Sequence, residues 1–209
     1  MQKFRNKYRI PSTRLQKWDY GWNAPYFVTI CTAHRVCYFG DIRDREMILS
    51  DIGEIVVDQW LKTPVVRPDM NLILDEFVVM PNHFHGIIII GQNDYNHHEL
   101  QYRDDCRDAM HGVSTVKTVK TINNDVIANT NVNPNPNPNN RFGPQIKNLP
   151  SIIRGFKSAV TINARKINID FAWQPRFHEH IIRDQKSYKR IRNYIIENPG
   201  NWRDDDFYK

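Results

Sequence analysis

The sequence carries no pattern that predicts a disulfide framework, a bilayer span or an export leader. Only three cysteines occur in 209 residues, Cys31, Cys37 and Cys106. An odd count without a pairing pattern argues against stapling by disulfides, and the lack of any CxxC argues against a structural zinc knuckle. The longest apolar runs are too short to cross a bilayer. The first residues, MQKFRNKYRIPSTRLQK, are basic but carry no apolar core of the kind a secretory signal needs. These absences point to a reducing, cytoplasmic setting with no membrane partner. Negative charge is also the minority: 23 Asp and Glu stand against 29 Lys and Arg, for a net +6 and a pI near 9.2. That excess fits a polyanion without requiring one.

Against this background one stretch stands out, Met80-Pro81-Asn82-His83-Phe84-His85-Gly86-Ile87-Ile88-Ile89-Ile90. Its β-branched run, bounded by Pro81 and Gly91, reads as a buried strand. Successive strand side chains point to opposite faces, so His83 and His85 share one face with Ile87 and Ile89. Phe84, Ile88 and Ile90 point the other way. Two imidazoles in line on a rigid strand are a start for a divalent metal site that needs further ligands from elsewhere. His178-Glu179-His180 repeats the spacing around a charged centre, which suits a less buried strand.

The length suits one domain spanning residues 1–209, with a basic arm at 1–24 and an insertion at 92–147. In the arm, cations including Arg14 and Lys17 alternate with aromatics such as Trp18 and Tyr20. The arm therefore reads either as a grip on nucleic acid or as a solvated arm packed by a few rings. Tyr26–Thr32 reads as a strand. Asp44 to Lys62 reads as a helix capped by Asp44 and ended by Pro64 and Pro68. Asn71–Met80 is a second strand that turns at Pro81-Asn82 into the histidine strand. The insertion loses periodicity and holds the repeat Asn133-Pro134-Asn135-Pro136-Asn137-Pro138-Asn139, which suits neither helix nor sheet interior. Leu149 to Ile167 reads as a helix with Lys157 on its polar side, Phe177–Ile182 as a short strand, and Asp184 to Pro199 as a last helix. The order predicts an α+β fold, an antiparallel sheet with helices on one face, near the ferredoxin-like split βαβ.

Four signals combine into one chemistry. They are the His83/His85 pair, Tyr194 on the last helix, Asn198 one turn later, and cations that include Arg183 and Arg190. A divalent ion on the histidines would polarise a phosphodiester, a phenol would attack it, and Asn198 would supply an oxygen ligand or orient the phosphate. Tyr188 competes with Tyr194 as the attacker, and Asn198-Pro199 also reads simply as a helix stop.

The chain resembles the HUH-type single-tyrosine transposases, and especially the REP-associated tyrosine transposases. The resemblance rests on Tyr20 with Tyr26–Thr32, on Val78–Gly86 with its MPNHFHG, on Ile153-Arg154-Gly155-Phe156-Lys157-Ser158, on Trp173-Gln174 with Phe177–Arg183, and on Arg192-Asn193-Tyr194-Ile195 with Asn198-Pro199 and Trp202. It covers nearly all of the chain outside 92–147. It implies an HUH endonuclease fold, His83 and His85 as metal ligands with Asn198 as the third, and Tyr194 as nucleophile. It further implies Mg²⁺ or Mn²⁺, single-stranded or hairpin DNA as partner, and cleavage and rejoining through a 5′-phosphotyrosine. DNA contacts are expected from Arg14, Lys17, Arg154, Lys157, Arg183 and Arg190. The host would be bacterial, the protein associated with the nucleoid when on DNA, and the assembly a monomer or a homodimer. Two alternatives remain open at this level: a DNA-binding protein without chemistry, and a metal-dependent phosphohydrolase without a covalent step.

Overall fold

The computed structural model describes residues 14–15, 18–96 and 146–208, with the short paired strands β1 (Lys3–Phe4) and β2 (Lys7–Tyr8). Lys17, Cys106, His97, His98, His111 and the Asn/Pro repeat lie outside the described residues.

Four strands form the central sheet: β3 (Ala24–Cys31), β6 (Leu72–Met80), β7 (His83–Ile90) and β8 (His178–Ile181). Their order is β6-β7-β3-β8 and every neighbour is antiparallel. The connection from β3 to β6 runs through helix α1 (Asp51–Val66) and skips one place in the sheet, which β7 fills. The connection from β7 to β8 runs through α2 (Leu149–Ala164) and skips the place that β3 fills. This is the split βαβ arrangement. Helix α3 (Gln185–Glu197) follows, then a 3₁₀ segment, Pro199–Asp204.

Both faces of β7 are covered, which is why its isoleucine run is continuous rather than alternating. Phe84, Ile88 and Ile90 pack with Trp60 of α1 and Phe156 of α2. Ile87 and Ile89 pack with Tyr188, Ile191 and Ile195 of α3 on the other face. The α+β antiparallel plan is as expected from the sequence, but only α1 and α2 share a face. α3 lies on the opposite one, because its apolar stripe needs the second side of β7.

The expected helix from Asp44 to Lys62 is also corrected. Its first part is a hairpin, β4 (Gly40–Arg43) and β5 (Glu46–Leu49), with Arg43 paired to Glu46 across the turn. Asp44 and Arg45 make the turn at φ 51° and 69°, left-handed at both positions as a twisted two-residue hairpin loop demands. Helix α1 starts after Ser50, whose side chain accepts from the Gly53 backbone N–H at 3.2 Å. Pro64 does not end the helix but sits within its last turn. The other two helices start where the sequence places them. Asn148 and Ser151 form a reciprocal capping box at α2, and Asp184 accepts from Ser187 N–H at 2.7 Å at α3.

Candidate active site

The turn Pro81-Asn82 links Met80 directly to His83 across the β6–β7 hairpin. Register then decides the neighbours. Cys31 lies opposite His83, and Thr29 lies opposite both His85 on one side and His178 on the other. His83 and His85 are 0% and 1% exposed, with ring centroids 4.5 Å apart.

Each imidazole is aimed by a second group. Asn82 Oδ1 lies 3.0 Å from His83 Nδ1, so an Nδ1 proton donated to it leaves the lone pair on Nε2. That Nε2 is buried and has no hydrogen-bond partner. Thr29 Oγ1 lies 2.8 Å from His85 Nδ1, and the Tyr194 hydroxyl lies 3.2 Å from His85 Nε2. Two tautomers of His85 satisfy these contacts; a cation at Nε2 requires the one in which Nδ1–H donates to Thr29. Burial first, then the neighbouring His85 and Arg35, holds the His83 pKa down to about 2. Burial, then His178, holds His85 down to about 3. Both rings are therefore neutral near pH 7, the form that ligates metals.

The 3₁₀ segment after α3 brings a third group. Asp205 Oδ2 lies 4.0 Å from His83 Nε2, and one ligand atom from each of His83, His85 and Asp205 lies within 4.8 Å of the others. Asn198, 3% exposed, donates from Nδ2 to Asp205 Oδ2 at 3.1 Å. Its Oδ1 is buried and unpartnered. Two imidazoles and a carboxylate thus converge, a donor set compatible with a divalent metal, and the Asn198 amide stands beside them through its bond to Asp205.

Tyr194 is 42% exposed and opens onto a cavity of about 190 Å³ with Asn198, Asp204, Asp205 and Phe207. Burial first, then the Asp205 carboxylate, raises its phenol pKa. Tyr188 stands differently: it is 4% exposed and its hydroxyl donates to Asp75 Oδ2. Burial and Asp75 raise its pKa further still. Arg192 joins the same group, with Nη2 2.7 Å from Glu76 Oε1. Asp75 and Glu76 sit where the β6 register slips, so a bulge turns both carboxylates towards α3.

The remaining expected residues divide by location. His178 and His180 are exposed, and neither joins the ligand cluster. Arg183 and Arg190 are exposed around the start of α3. Arg14 is bonded through Nε to Glu179 Oε1 at 2.8 Å and lies over the rings of Tyr20 and Phe177. Arg154 and Lys157 belong to α2, across the sheet from Tyr194.

Two groups at the site were not foreseen. Asp205 stands within Asp204-Asp205-Asp206, a run that ordinarily reads as solvated charge. Arg35 follows β3 in a turn where His34 and Arg35 have φ of 54° and 58°. Its guanidinium lies 4.0 Å over the Phe207 ring, which itself packs against His83, and its Nη1 is buried without a partner. Two successive non-glycine residues in the left-handed region were the only local sign, and that sign is structural.

No family model matches the chain. An uncharacterized protein of Haemophilus influenzae is 35% identical over 198 residues, covering 94% of this chain and 92% of that one. The two proteins belong to one family. Among solved structures, a REP-associated tyrosine transposase bound to a REP hairpin matches with a TM-score of 0.51 and 18% identity. The match covers 92% of this chain and 74% of the transposase. The chain thus has an α+β fold like that of the transposase. Among its described residues no helix is long and apolar enough to cross a membrane.

Proposed function

We propose that this protein is a metal-dependent, DNA strand-cleaving and rejoining enzyme acting on single-stranded or hairpin DNA, with Tyr194 as nucleophile. The observation that carries the reading is the phenol of Tyr194 standing 3.2 Å from His85 beside a cluster of buried, unsatisfied ligand atoms. A fold shared with a transposase solved on a hairpin supports DNA as the substrate.

His83, His85 and Asp205 would hold the metal, with Asn198 Oδ1 as a further donor. Mg²⁺ or Mn²⁺ held there would offset charge on the phosphate and favour ionisation of a nearby phenol. The protein's own part is positional. Thr29 and Asn82 fix the two imidazoles, α3 presents the phenol, and Arg35 supplies an unpaired cation for the phosphate. Tyr194 Oη attacks phosphorus; the Oη–P bond forms as the P–O3′ bond breaks. The phenol proton passes to solvent and the departing O3′ takes one up. The products are a 5′-phosphotyrosine and a free 3′-OH, and the reverse reaction rejoins the strand. Tyr188 is disfavoured as attacker because its hydroxyl is committed to Asp75 in a buried setting. The packing of α3 on the sheet of its own chain supports Tyr194 acting in cis, in a monomer or a homodimer.

The test is a labelled hairpin oligonucleotide with a single-stranded flank, incubated with Mn²⁺ and run on a denaturing gel. A covalent adduct is expected from the native protein and from Tyr188→Phe, and none from Tyr194→Phe. Cleavage without adduct would establish the hydrolytic alternative, and an adduct surviving Tyr194→Phe would overturn the nucleophile.

A further inference from the structure

On the side of the sheet away from Tyr194, α2 and the connector before β8 enclose a groove of about 780 Å³. Its charge is of one sign. Arg154, Lys157, Arg165 and Arg176 line it with Trp173 and Phe177, and among the described residues no carboxylate does. Two of these cations are held by carbonyls, which do not neutralise them, while Arg14, also in the lining, is paired with Glu179. Lys157 Nζ donates to the carbonyls of Gln174 and Arg176 at 2.8 and 2.9 Å, and Arg165 Nε donates to the Phe171 carbonyl at 3.0 Å. Arg176 has φ of 70°, a conformation that costs a non-glycine residue energy and turns the chain at the groove's mouth. Gly155, next to Arg154 on α2, has nothing within 4 Å of the place a Cβ would occupy, so internal packing does not require a glycine there.

The floor of the groove is tied to the metal end of the sheet. Gln174 N–H donates to the Cys31 carbonyl and Ala33 N–H to the Ala172 carbonyl, each at 2.8 Å, and Cys31 is the residue paired with His83. The connector then leads through Phe177 into β8, an edge strand. There His178 stands exposed in the same cross-strand row as Thr29 and His85. From β8 to β7 is two strand spacings, roughly 10 Å.

We propose that this groove is a binding site for single-stranded DNA, whose chain continues over the β8 edge past His178 to Tyr194. The inference rests on the strand-cleaving reading above and adds where the unpaired flank lies. Cations interleaved with aromatic faces are the chemistry of single-strand grooves: phosphates meet the charges and bases stack on the rings. Duplex DNA would satisfy the charges but leave Phe177 and Trp173 unused.

The probe is a fluorescein-labelled twelve-nucleotide oligo-dT, read by anisotropy in EDTA so that no chemistry intervenes. Arg154→Glu with Arg165→Glu is expected to weaken binding about tenfold or more and to lower the salt slope by about 1.4, two single-strand phosphate contacts. Arg43→Glu with Lys62→Glu, the same charge change on exposed residues elsewhere, is expected to change affinity less than about threefold. Phe177→Leu, read alongside, is expected to weaken oligo-dT while sparing a blunt duplex of equal length. Circular dichroism and melting verify that each variant is folded. Equal losses from both charge-reversed pairs, or no loss from the groove pair, would overturn the site, as would a native protein that prefers the duplex. The two readings separate cleanly. Tyr194→Phe removes the adduct and leaves oligo-dT binding intact, whereas a failed groove leaves the adduct intact.

Discussion

Two neutral imidazoles packed side by side carry a pH cost. Unfolded, each histidine titrates near 6.5; folded and metal-free, His83 and His85 are held down to about 2 and 3. Between those limits the unfolded state binds more protons, so stability is full above about pH 6.5 and falls as pH drops. By pH 5 the cost is about 2 kcal/mol per histidine. Urea denaturation in EDTA at pH 7.5 and 5 is expected to show this slope, and His83→Gln with His85→Gln to flatten it. A second expectation concerns Tyr188. Its removal to Phe leaves the Asp75 carboxylate short of a buried donor, a loss of about 1–3 kcal/mol in a denaturant titration. At this scale the sequence revealed the groups whose neighbours are close in the chain. The common face of His83 and His85 followed from strand alternation and that of Tyr194 and Asn198 from helix spacing, while the preference for Tyr194 over Tyr188 came from the family resemblance. Asp205 and Arg35 did not, because their positions depend on a 3₁₀ segment curling back and on a left-handed turn, and neither leaves a periodic trace.

Among the elements, the helices test the same logic through two glycines. Gly155 of α2 faces open space, so Gly155→Ala is expected to stabilise the fold by about 0.5–1 kcal/mol in thermal melts. Gly53 of α1 is the opposite case. A Cβ there would stand 2.2 Å from the Phe39 carbonyl oxygen, so Gly53→Ala is expected to destabilise by about 1–3 kcal/mol. The close approach exists because the hairpin β4–β5 delivers the chain to Ser50 just before α1 begins. That hairpin escaped the periodicity reading for a physical reason. Met47, Ile48, Ile52 and Ile55 satisfy a helical stripe, yet Asp44 and Arg45 accept left-handed backbone and Ser50 is the better cap. The starts read at Leu149 and Asp184, by contrast, stand, and the capping bonds of Asn148 and Asp184 hold them there.

The molecule as a whole holds two polar clusters on opposite sides of one sheet, the His83/His85/Asp205 group under α3 and the basic groove along α2. Metal should bind the folded form alone, since the ligands converge only there. Mn²⁺ at a hundredfold excess over its dissociation constant is expected to add about 2.7 kcal/mol. In a thermal-shift assay the native protein and Tyr194→Phe should both gain this, and His83→Ala should not. An unshifted native melt would remove the metal from the proposal.

The contact between His85 and Tyr194 joins positions 109 apart in the chain. Loops of that span close slowly compared with a helix or a hairpin, so the histidine hairpin can form well before its phenol arrives. A nascent or partly folded chain would therefore carry the imidazoles without the Tyr194 phenol. On the proposed reading the centre assembles only as α3 docks, so strand cleavage would report on completed folding and half-made copies would leave DNA intact.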